Sequence, residues 1–428
     1  MNPLEFIITS HQFLLAATAT QLIGLFWIPL IGEIPRYFFG CFGALNIYLQ
    51  QRIHGRALLD PRTLGKVSVL IPGHNEADSI EKCVRSLREQ SFQDFEIVCV
   101  SDGSTDETYA IMQRLQQQGL VDKIAGCHVR GGKSSGINLG MRLASGDIVV
   151  VIDCDCSFER NALEELLQPF ADPAVGAVSG SILVRNADVN VLTSLQFIEF
   201  LIGMVLGRVM MDMMNQLPLI SGAFGAFRRT AFMQVNGMDP GPGEDGDVTL
   251  RLRHAGYKIR FAAHSIGYTD VPTAFFNLMR QRNRWERDAL WIRYRKHRRI
   301  YNPFRQDFQL KEAFHQLDFM ILTILPTFIF PIYMVYVLTT YGELAAVVIL
   351  AITFGLLALD VCTFLFAVIA LGKYEFLRFL PFLLIYGLWQ CWIMRMVRLY
   401  AFTLEWIYST SRGDNFAPPK VNAWIRWK

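Results

Sequence analysis

Two aspartates separated by one residue, Asp153 and Asp155, directly follow an unbroken apolar run at 148–152. A short run rich in Val and Ile predicts a buried strand of a parallel sheet, and ligands of open α/β sheets bind beyond the carboxyl ends of the strands. Two carboxylates there suit a divalent cation that also holds a diphosphate, because Mg²⁺ takes one or two protein carboxylates and completes its shell with phosphate oxygens and water. Taken alone, the motif is equally compatible with an acidic turn after a buried strand.

Polar residues also follow two predicted strands that come earlier in the chain. The run at 67–71 leads into Pro72 and Glu76, and the run at 95–100 leads into Asp102. Each has a simpler explanation by itself, since Asp-Gly is a turn signal and Glu76 could begin a helix. The carboxyl ends of parallel strands lie at one edge of a sheet, so we expect these side chains to share a rim with Asp153 and Asp155.

The elements that carry these residues alternate along the chain. Helical patterns follow the first two strands, and another strand candidate at 124–129 leads into Gly131, Gly132 and Lys133. The order βαβαβαβ predicts a mostly parallel sheet with helices on both faces. No Gly-x-Gly-x-x-Gly follows the first strand and no Walker sequence occurs, which disfavours the dinucleotide-binding and P-loop classes.

Composition indicates a membrane protein. Of the 428 residues, 52% are hydrophobic and only 18% are charged, which is too apolar for an ordinary soluble domain. The net charge of +3 gives no case for binding a bulk polyanion, so nucleic acid is not an expected partner. The eight cysteines show no paired framework or zinc spacing and are interpreted as reduced, cytosolic cysteines.

Apolar runs divide the chain into four predicted regions. Residues 1–65 form an N-terminal transmembrane region of one or two helices, with runs at 13–31 and 37–49. Arg52, Arg56, Arg62 and Lys66 follow these runs, which places the next region, 66–272, in the cytoplasm under the positive-inside rule. We expect amphipathic interface helices at 273–308 and a C-terminal transmembrane region with a tail at 309–428.

The C-terminal region leaves one conflict open. Its three apolar stretches at 317–340, 344–371 and 376–400 would place the tail outside if each crossed the membrane. The tail nevertheless carries several basic residues, which the positive-inside rule places inside. The alternative is that one of the three stretches lies in the membrane interface or enters the membrane and returns without crossing it.

A sixth apolar stretch at about 191–214 contains Glu199, Arg208 and Asp212. A crossing there would put the later motifs on the opposite side of the membrane from Asp155. We therefore predict an amphipathic helix lying in the cytoplasmic interface. The small residues that follow, Ser221 and Gly222 among them, would let an acceptor molecule approach the backbone closely.

Two further motifs lie downstream. Gly243–Asp247 opens a helical pattern, and its acids could simply stabilise the positive end of the helix dipole. Gln281–Trp285 lies in a stretch that is amphipathic at helical spacing, where an interfacial belt of Arg and Trp is the simpler interpretation for Arg282, Arg287 and the basic run 293–299.

Five motifs occur in a specific order: IPGHNE from Ile71, SDGSTDET from Ser101, DCD from Asp153, GEDGD from Gly243 and QRNRW from Gln281. Together they resemble the membrane-bound family-2 glycosyltransferases, the group that contains cellulose, chitin and hyaluronan synthases. The resemblance covers the motifs from Lys66 to Arg299 and the membrane layout of the whole chain. It implies a GT-A fold, an α/β nucleotide-diphospho-sugar transferase domain.

The resemblance also implies roles for particular residues. The residues expected to bind the donor nucleotide sugar are Pro72, Glu76, Asp102, Lys133, Asp153 and Arg284. Asp155 is the expected ligand of Mg²⁺ or Mn²⁺, and Asp245, next to Glu244, is the expected general base. The residues expected at the acceptor are Ser221, Gly222, Gln281 and Trp285. The family often has Thr where Gly243 stands, a departure that leaves the acid pair intact.

These roles imply an inverting, processive glycosyltransferase that builds a β-linked polysaccharide from a nucleotide-diphosphate sugar, with UDP-sugar as the expected donor, and exports the product. The expected location is the plasma or inner membrane of a bacterial-type cell, with membrane lipids and accessory export subunits as further partners. One alternative is transfer of a single sugar to a lipid-linked acceptor; a less favoured one is a nucleotide-sensing membrane binding or transport protein. Polar and aromatic residues within the last apolar stretches are predicted to line an export channel: Asp360, Trp389, Gln390, Trp392, Arg395, Arg398 and Tyr400. For Arg395 and Arg398, snorkelling to the membrane surface is the simpler alternative.

Overall fold

The computed structural model describes residues 8, 12–13, 15–28, 34–54, 59–305, 308–413 and 418. Arg56 and the basic residues after 418, on which parts of the predicted topology depend, lie outside that range.

A single eight-stranded sheet forms the centre of the α/β domain, with the strand order β3-β2-β1-β4-β7-β6-β8-β5. Its strands are β1 Val67–Gly73, β2 Phe95–Asp102, β3 Lys123–Cys127, β4 Ile148–Ile152, β5 Ser157–Phe158, β6 Val175–Val184, β7 Phe224–Arg228 and β8 Lys258–Thr269. The first four strands are mutually parallel. β7 is antiparallel to both β4 and β6, so the second half of the sheet is mixed.

The helices lie around this sheet and beyond it. They are α1 Ala19–Ile28, α2 Ile34–His54, α3 Ile80–Arg88, α4 Thr108–Gln117, α5 Lys133–Leu143, α6 Ala162–Leu167, α7 Val191–Met213, α8 Arg229–Gln234, α9 Glu244–His254, α10 Phe275–Leu290, α11 Leu310–Tyr341, α12 Ala345–Leu371 and α13 Tyr374–Tyr408. Four of them, α7 and α11 to α13, are long and apolar enough to cross a membrane.

Burial explains why the strands form where they do. Every residue of β1 and β4 is buried, as expected for central parallel strands covered by helices on both faces. α3 covers one face with Ile80, Cys83, Val84 and Leu87, which recur at the spacing of a single helix face. The parallel register aligns the ends of β1 and β2, because Gly73 pairs with Ser101.

α7 packs against the sheet through polar contacts. Arg208 donates to the Ser179 hydroxyl on β6 at 3.2 Å, and an Asp212 oxygen accepts from the Phe261 amide on β8 at 2.9 Å. β6 precedes α7 and β7 follows it, and these two strands pair with each other. Both ends of α7 are therefore connected to one sheet. The interfacial position of α7 stays a prediction, and this pairing favours it over a crossing.

Ion pairs connect the apolar helices α11 and α12 to the α/β domain. Glu312, in the first turn of α11, forms a buried pair with Arg253 at 2.5 Å. Lys373, just after α12, contacts Glu159 at 2.5 Å. The first residues of α11 and the last residues of α12 thus lie at the α/β domain, and the short connection between the two helices lies at their other end.

α13 runs beside α10 along much of its length. The Phe275 and Trp389 rings lie 6.2 Å apart between centroids, and Glu286 accepts from Arg398 at 3.0 Å. Beyond the end of α10, Arg295 lies 3.7 Å from Glu405. Lys373 precedes α13 and contacts the α/β domain, whereas the last part of α13 contacts the segment that follows α10.

The N-terminal helices continue this arrangement. Leu25 of α1 packs in a cluster with Tyr333 and Val348, near the connection between α11 and α12. Farther along the chain, Tyr37 of α2 donates to Asp360 at 2.5 Å. Asp360 therefore binds a residue of another helix, as Arg398 does through Glu286, and these contacts do not support the expectation that both charges line one export channel.

Candidate active site

The loop after β2 is built around Asp102. Its buried carboxylate accepts from the amides of Gly131 and Gly132, both at 2.7 Å. Gly132 has φ of 89°, a conformation that favours glycine. The structure therefore shows Asp102 holding the turn in front of α5, whereas its expected contact with the nucleotide stays a prediction.

The residues after β1 face the two aspartates after β4. Pro72 is buried, and its carbonyl accepts from the Cys154 thiol at 3.4 Å. Glu76 accepts from the Ser79 hydroxyl at 2.7 Å. Burial raises the pKa of Glu76, and the negative charge of Asp155 raises it further. The predicted common rim of the sheet is present.

Asp153 and Asp155 have different partners. The Asp153 carboxylate contacts the Lys133 ammonium at 2.6 Å, which neutralises it. Asp155 accepts from the Thr269 hydroxyl at 3.2 Å. Burial and the neighbouring Asp153 both raise the pKa of Asp155. Burial and a neighbouring negative charge both disfavour the ionised form of Asp155, and a bound cation would stabilise that form.

The donor set at Asp155 fits a hard divalent cation. Among the described residues, no group of three or more His, Cys, Asp or Glu side chains is arranged to hold a metal. A site with few protein ligands is nevertheless the usual arrangement for Mg²⁺ where substrate phosphates complete the coordination shell. Asp155 is thus a suitable ligand for a metal that arrives with a diphosphate.

Glu244 and Asp245 open α9, preceded by Gly243 in a left-handed conformation with φ of 67°. The Gly246 amide donates to the Asp245 carboxylate at 2.7 Å. Burial raises the pKa of both acids, while the positive charge of Lys133 acts in the opposite direction on each.

Gly222 lies between the Lys133 ammonium and the Asp245 carboxylate. A Cβ atom placed there would be 3.3 Å from the Lys133 ammonium and 3.5 Å from the Asp245 carboxylate. The neighbouring Ser221 amide donates to Ser179 at 3.0 Å, which fixes the backbone at this point. Lys133, Asp153, Gly222 and Asp245 thus meet although they come from four separate segments.

A cavity of about 220 Å³ adjoins these residues. Its wall includes the glycine turn at 131–132, Lys133, Glu244 and Arg284. Positive side chains on two sides and backbone amides of a glycine-rich turn are features that bind phosphate groups.

The remaining residues of the QRNRW motif have different surroundings. The Arg282 guanidinium lies 4.3 Å from the centre of the Trp285 ring, and Arg282 also pairs with Glu199 at 2.9 Å. Arg282 is buried, so the membrane-belt interpretation is wrong for this residue. The amide oxygen of Gln281 is buried and lacks a hydrogen-bond partner within the described part of the chain, which leaves it available to a ligand hydroxyl.

Arg208 was not among the predicted site residues. Its charge lowers the pKa of Asp245, and its guanidinium donates to the same Ser179 hydroxyl that holds the Ser221 amide. A charged residue within an apolar stretch was the available signal, but the sequence did not indicate which site it would face.

Known proteins resemble this chain in both sequence and fold. Residues 68–235 match the model for glycosyl transferase family 2. This segment of the chain is therefore similar to a family-2 glycosyltransferase domain. The poly-beta-1,6-N-acetyl-D-glucosamine synthases of Staphylococcus aureus and Staphylococcus epidermidis are 26% identical to it over 270 residues, which cover 61% of this chain and 62% of each relative. The chain thus aligns with about three fifths of the length of these relatives.

The fold comparison agrees. The structure of the mannosyltransferase PcManGT from Pyrobaculum calidifontis, a complex with GDP-Man and Mn²⁺, matches with a TM-score of 0.56 and 20% identity. The match covers 87% of this chain and 99% of the mannosyltransferase. The prediction of a GT-A domain joined to a helical membrane region is confirmed at the level of the fold.

Proposed function

We propose that this protein is an inverting glycosyltransferase that extends a β-linked polysaccharide from a nucleotide-diphosphate sugar at the cytoplasmic face of a membrane. The observation that carries the proposal is the meeting of Asp153, Lys133, Gly222 and Asp245 beside a cavity lined by Arg284. It supports a site in which a diphosphate leaving group and a general base face each other.

Asp245 is the base in this proposal. A carboxylate within hydrogen-bond reach of the acceptor hydroxyl can take its proton while the hydroxyl oxygen attacks the anomeric carbon. Direct attack from the face opposite the diphosphate inverts the configuration, which gives a β-linkage from an α-linked donor. Gly222 keeps the space beside Asp245 open, because a larger side chain would crowd both Asp245 and Lys133.

Lys133 and Arg284 hold the diphosphate, and Asp102 keeps the glycine turn in place beside it. Asp155 would hold Mg²⁺ or Mn²⁺. When bound, the metal neutralises the charge that builds on the departing diphosphate. The relatives' name makes UDP-N-acetylglucosamine the first donor to test, and GDP-mannose, present in the mannosyltransferase complex, is the natural comparison.

The contacts also support a membrane arrangement. If α11 leaves the cytoplasmic face and α12 returns to it, then α13 begins at that face next to Lys373. Near its end, Glu405 contacts Arg295 after α10, so α13 is the stretch that does not cross the membrane completely. This proposal removes the conflict between three crossings and a basic C-terminal tail.

A second candidate function has an observation in its favour. An open apolar groove of about 650 Å³ lies between α10 and α13, lined by Phe275, Met279, Trp392, Tyr400 and neighbouring residues. A groove with so little polar lining suits the hydrocarbon tail of a lipid-linked acceptor better than a hydrated sugar chain. Transfer of one sugar to such an acceptor is therefore the alternative.

One experiment separates these functions. The purified full chain in lipid nanodiscs is incubated with a panel of radiolabelled UDP-sugars and GDP-mannose, and nucleotide release and product length are measured. Polymer of many residues supports the proposal, and a single labelled sugar extracted with lipid supports the alternative. Nucleotide binding without release would overturn both and leave a nucleotide-sensing membrane protein.

Transport of the polymer by this chain is a separate proposal. In inside-out vesicles supplied with donor outside, exported polymer would accumulate in the lumen, protected from added glycosidase. Polymer that remains digestible in intact vesicles would show that the chain makes the product without carrying it across.

A further inference from the structure

Asp247 lies two residues after the proposed base and is almost fully buried, with 1% of its side chain exposed. Its Oδ1 accepts from the Lys296 ammonium and from the His297 ring, both at 2.7 Å. Its Oδ2 accepts from the Arg251 Nε at 2.9 Å. A buried carboxylate with this many donors is held in one position.

Lys296 also reaches a second carboxylate. Its ammonium lies 3.1 Å from Asp239, in the loop that leads to α9. The carbonyl of Asp239 accepts from the Ser134 hydroxyl at 3.0 Å, next to Lys133. We call Asp239, Asp247, Arg251, Lys296 and His297 the Asp247 cluster.

The Asp247 cluster joins the three elements that carry the proposed active-site residues. Asp247 belongs to the first turn of α9, which carries Asp245. Lys296 ends the helical segment that continues α10, which carries Arg284. Asp239 bonds to the first turn of α5, which begins at Lys133. The Lys296 ammonium therefore lies where three segments meet: α9 with Asp245, the continuation of α10 with Arg284, and the loop that bonds to the start of α5 with Lys133.

The charges in the cluster are matched. Burial alone would raise the pKa of Asp247, but the hydrogen bond from His297 and the charges of Lys296 and Arg251 hold it well below the usual range. Asp247 is thus an anion throughout the pH range in which the enzyme would work. Loss of the Lys296 charge would leave a buried anion with fewer donors and would remove one of the contacts that hold the loop at Asp239.

We propose that Lys296, bridging Asp239 and Asp247, is a positioning residue that sets the distance between the general base and the diphosphate site. The inference rests on the proposed function. It gives a function to Asp247, the last acid of GEDGD, for which the sequence indicated only a helix-dipole role, and to part of the basic run 293–299, for which a membrane belt was the simpler interpretation. Misplacement of reacting groups by about 1 Å can cost on the order of a hundredfold in rate.

The test compares Lys296→Met, Lys296→Arg and Asp239→Asn in the full chain, with Lys258→Met as the matched control. Lys258 also pairs with an aspartate, Asp172 at 2.8 Å, but on an exposed surface away from the site. We expect Lys296→Met to lower kcat about ten- to a hundredfold while nucleotide affinity changes little, Lys296→Arg to restore most of the rate, and Lys258→Met to match the wild type.

The experiment distinguishes a failure of the proposed function from a failure of the positioning role of Lys296. A wild-type protein that turns over no nucleotide sugar would overturn the proposed function itself. With an active wild type, an unchanged kcat in Lys296→Met would overturn the positioning role, as would a loss of kcat and nucleotide affinity by the same factor. If Lys296→Met does not fold, Asp239→Asn decides, because Asp239 is partly exposed and its removal leaves the pair between Lys296 and Asp247 in place. A normal kcat in that variant would then overturn the proposal.

Discussion

The two halves of the candidate site are held in different ways. Asp102 ends β2 and pairs in the ladder with β3, and Asp153 and Asp155 follow the end of the central strand β4 by one and three residues. Glu244, Asp245 and Arg284 lie on two helices outside the sheet, and side-chain ion pairs hold those helices in place. We call these groups the strand half and the helix half.

The difference has a consequence for function. A strand half supported by many backbone hydrogen bonds tolerates the loss of one side chain without moving its neighbours. A helix half supported by a few buried charges depends on each of them, because the removal of one partner leaves the other buried and unpaired. Substitutions in the strand half should therefore change binding and chemistry directly. Substitutions in the helix half can also change the rate by displacing the helices that carry Asp245 and Arg284.

The largest expected effect lies at the helix half. Asp245→Asn keeps the shape of the side chain but cannot accept a proton, so we expect transfer to fall by about 10² to 10⁴. Nucleotide affinity should persist, since the strand half is untouched. Nucleotide release gives the rate, and titration with UDP gives the affinity.

Asp172→Asn, at an exposed position on the far side of the domain, is the control and should retain full activity. A loss of nucleotide affinity together with activity in Asp245→Asn would make Asp245 a binding or structural residue and would remove the assignment of the base to the helix half.

The strand half could be predicted from sequence, and the helix half only in part. The apolar runs of β1, β2 and β4 and the turn residues after them determine which side chains meet, because the ends of parallel strands share an edge. The meeting of Asp245 with Lys133 and Gly222 depends on segments distant in sequence, so only family resemblance indicated it.

No pattern in the sequence indicated which charged residues form ion pairs across long distances in the chain. Arg282 was expected in a membrane belt because its helix is amphipathic, yet it lies buried against Glu199. Likewise, hydropathy identifies α13 as a long apolar helix but does not indicate that it runs beside α10. The tertiary fold determines which segment Arg282 and α13 each contact, and those contacts join residues that are distant in sequence.

A stability test addresses the anchoring of the helix half. Arg253 near the end of α9 and Glu312 of α11 form a pair in which both side chains are about 5% exposed or less. Glu312→Gln leaves the Arg253 charge buried, so we expect a destabilisation of about 3 kcal/mol. Thermal unfolding of the detergent-solubilised protein measures the change.

Glu164→Gln provides the comparison, because the Glu164 carboxylate accepts from the Ser91 hydroxyl at 2.9 Å at an exposed position of the α/β domain. Its effect should be small. Equal midpoints for Glu312→Gln and the wild type would mean that buried ion pairs do not hold the helix half.

The strand half predicts a metal requirement. Asp155→Asn removes a charge that would hold the cation, and we expect a loss of about a hundredfold in turnover, the scale of one well-placed electrostatic group. EDTA should abolish transfer by the wild type, and added Mn²⁺ or Mg²⁺ should restore it. Full activity in EDTA would exclude the metal from the strand half.

The smallest expected effect is a displacement of the pH profile, and it tests the residue that joins the two halves. Burial raises the pKa of Asp245, so the acid limb of kcat should lie above the pH at which an ordinary aspartate titrates, with the rate falling as Asp245 becomes protonated at lower pH. Lys133 contacts Asp153 in the strand half and lowers the pKa of Asp245 in the helix half. In Lys133→Met, measured at saturating donor, the acid limb should therefore move to higher pH, because the neutral form of Asp245 gains stability when the positive charge is lost. Lys258→Met removes a lysine charge far from both halves and should leave the limb in place. An acid limb that does not move in Lys133→Met would show that the group that titrates does not sense Lys133, and the base would then have to be sought outside the cavity that the two halves share.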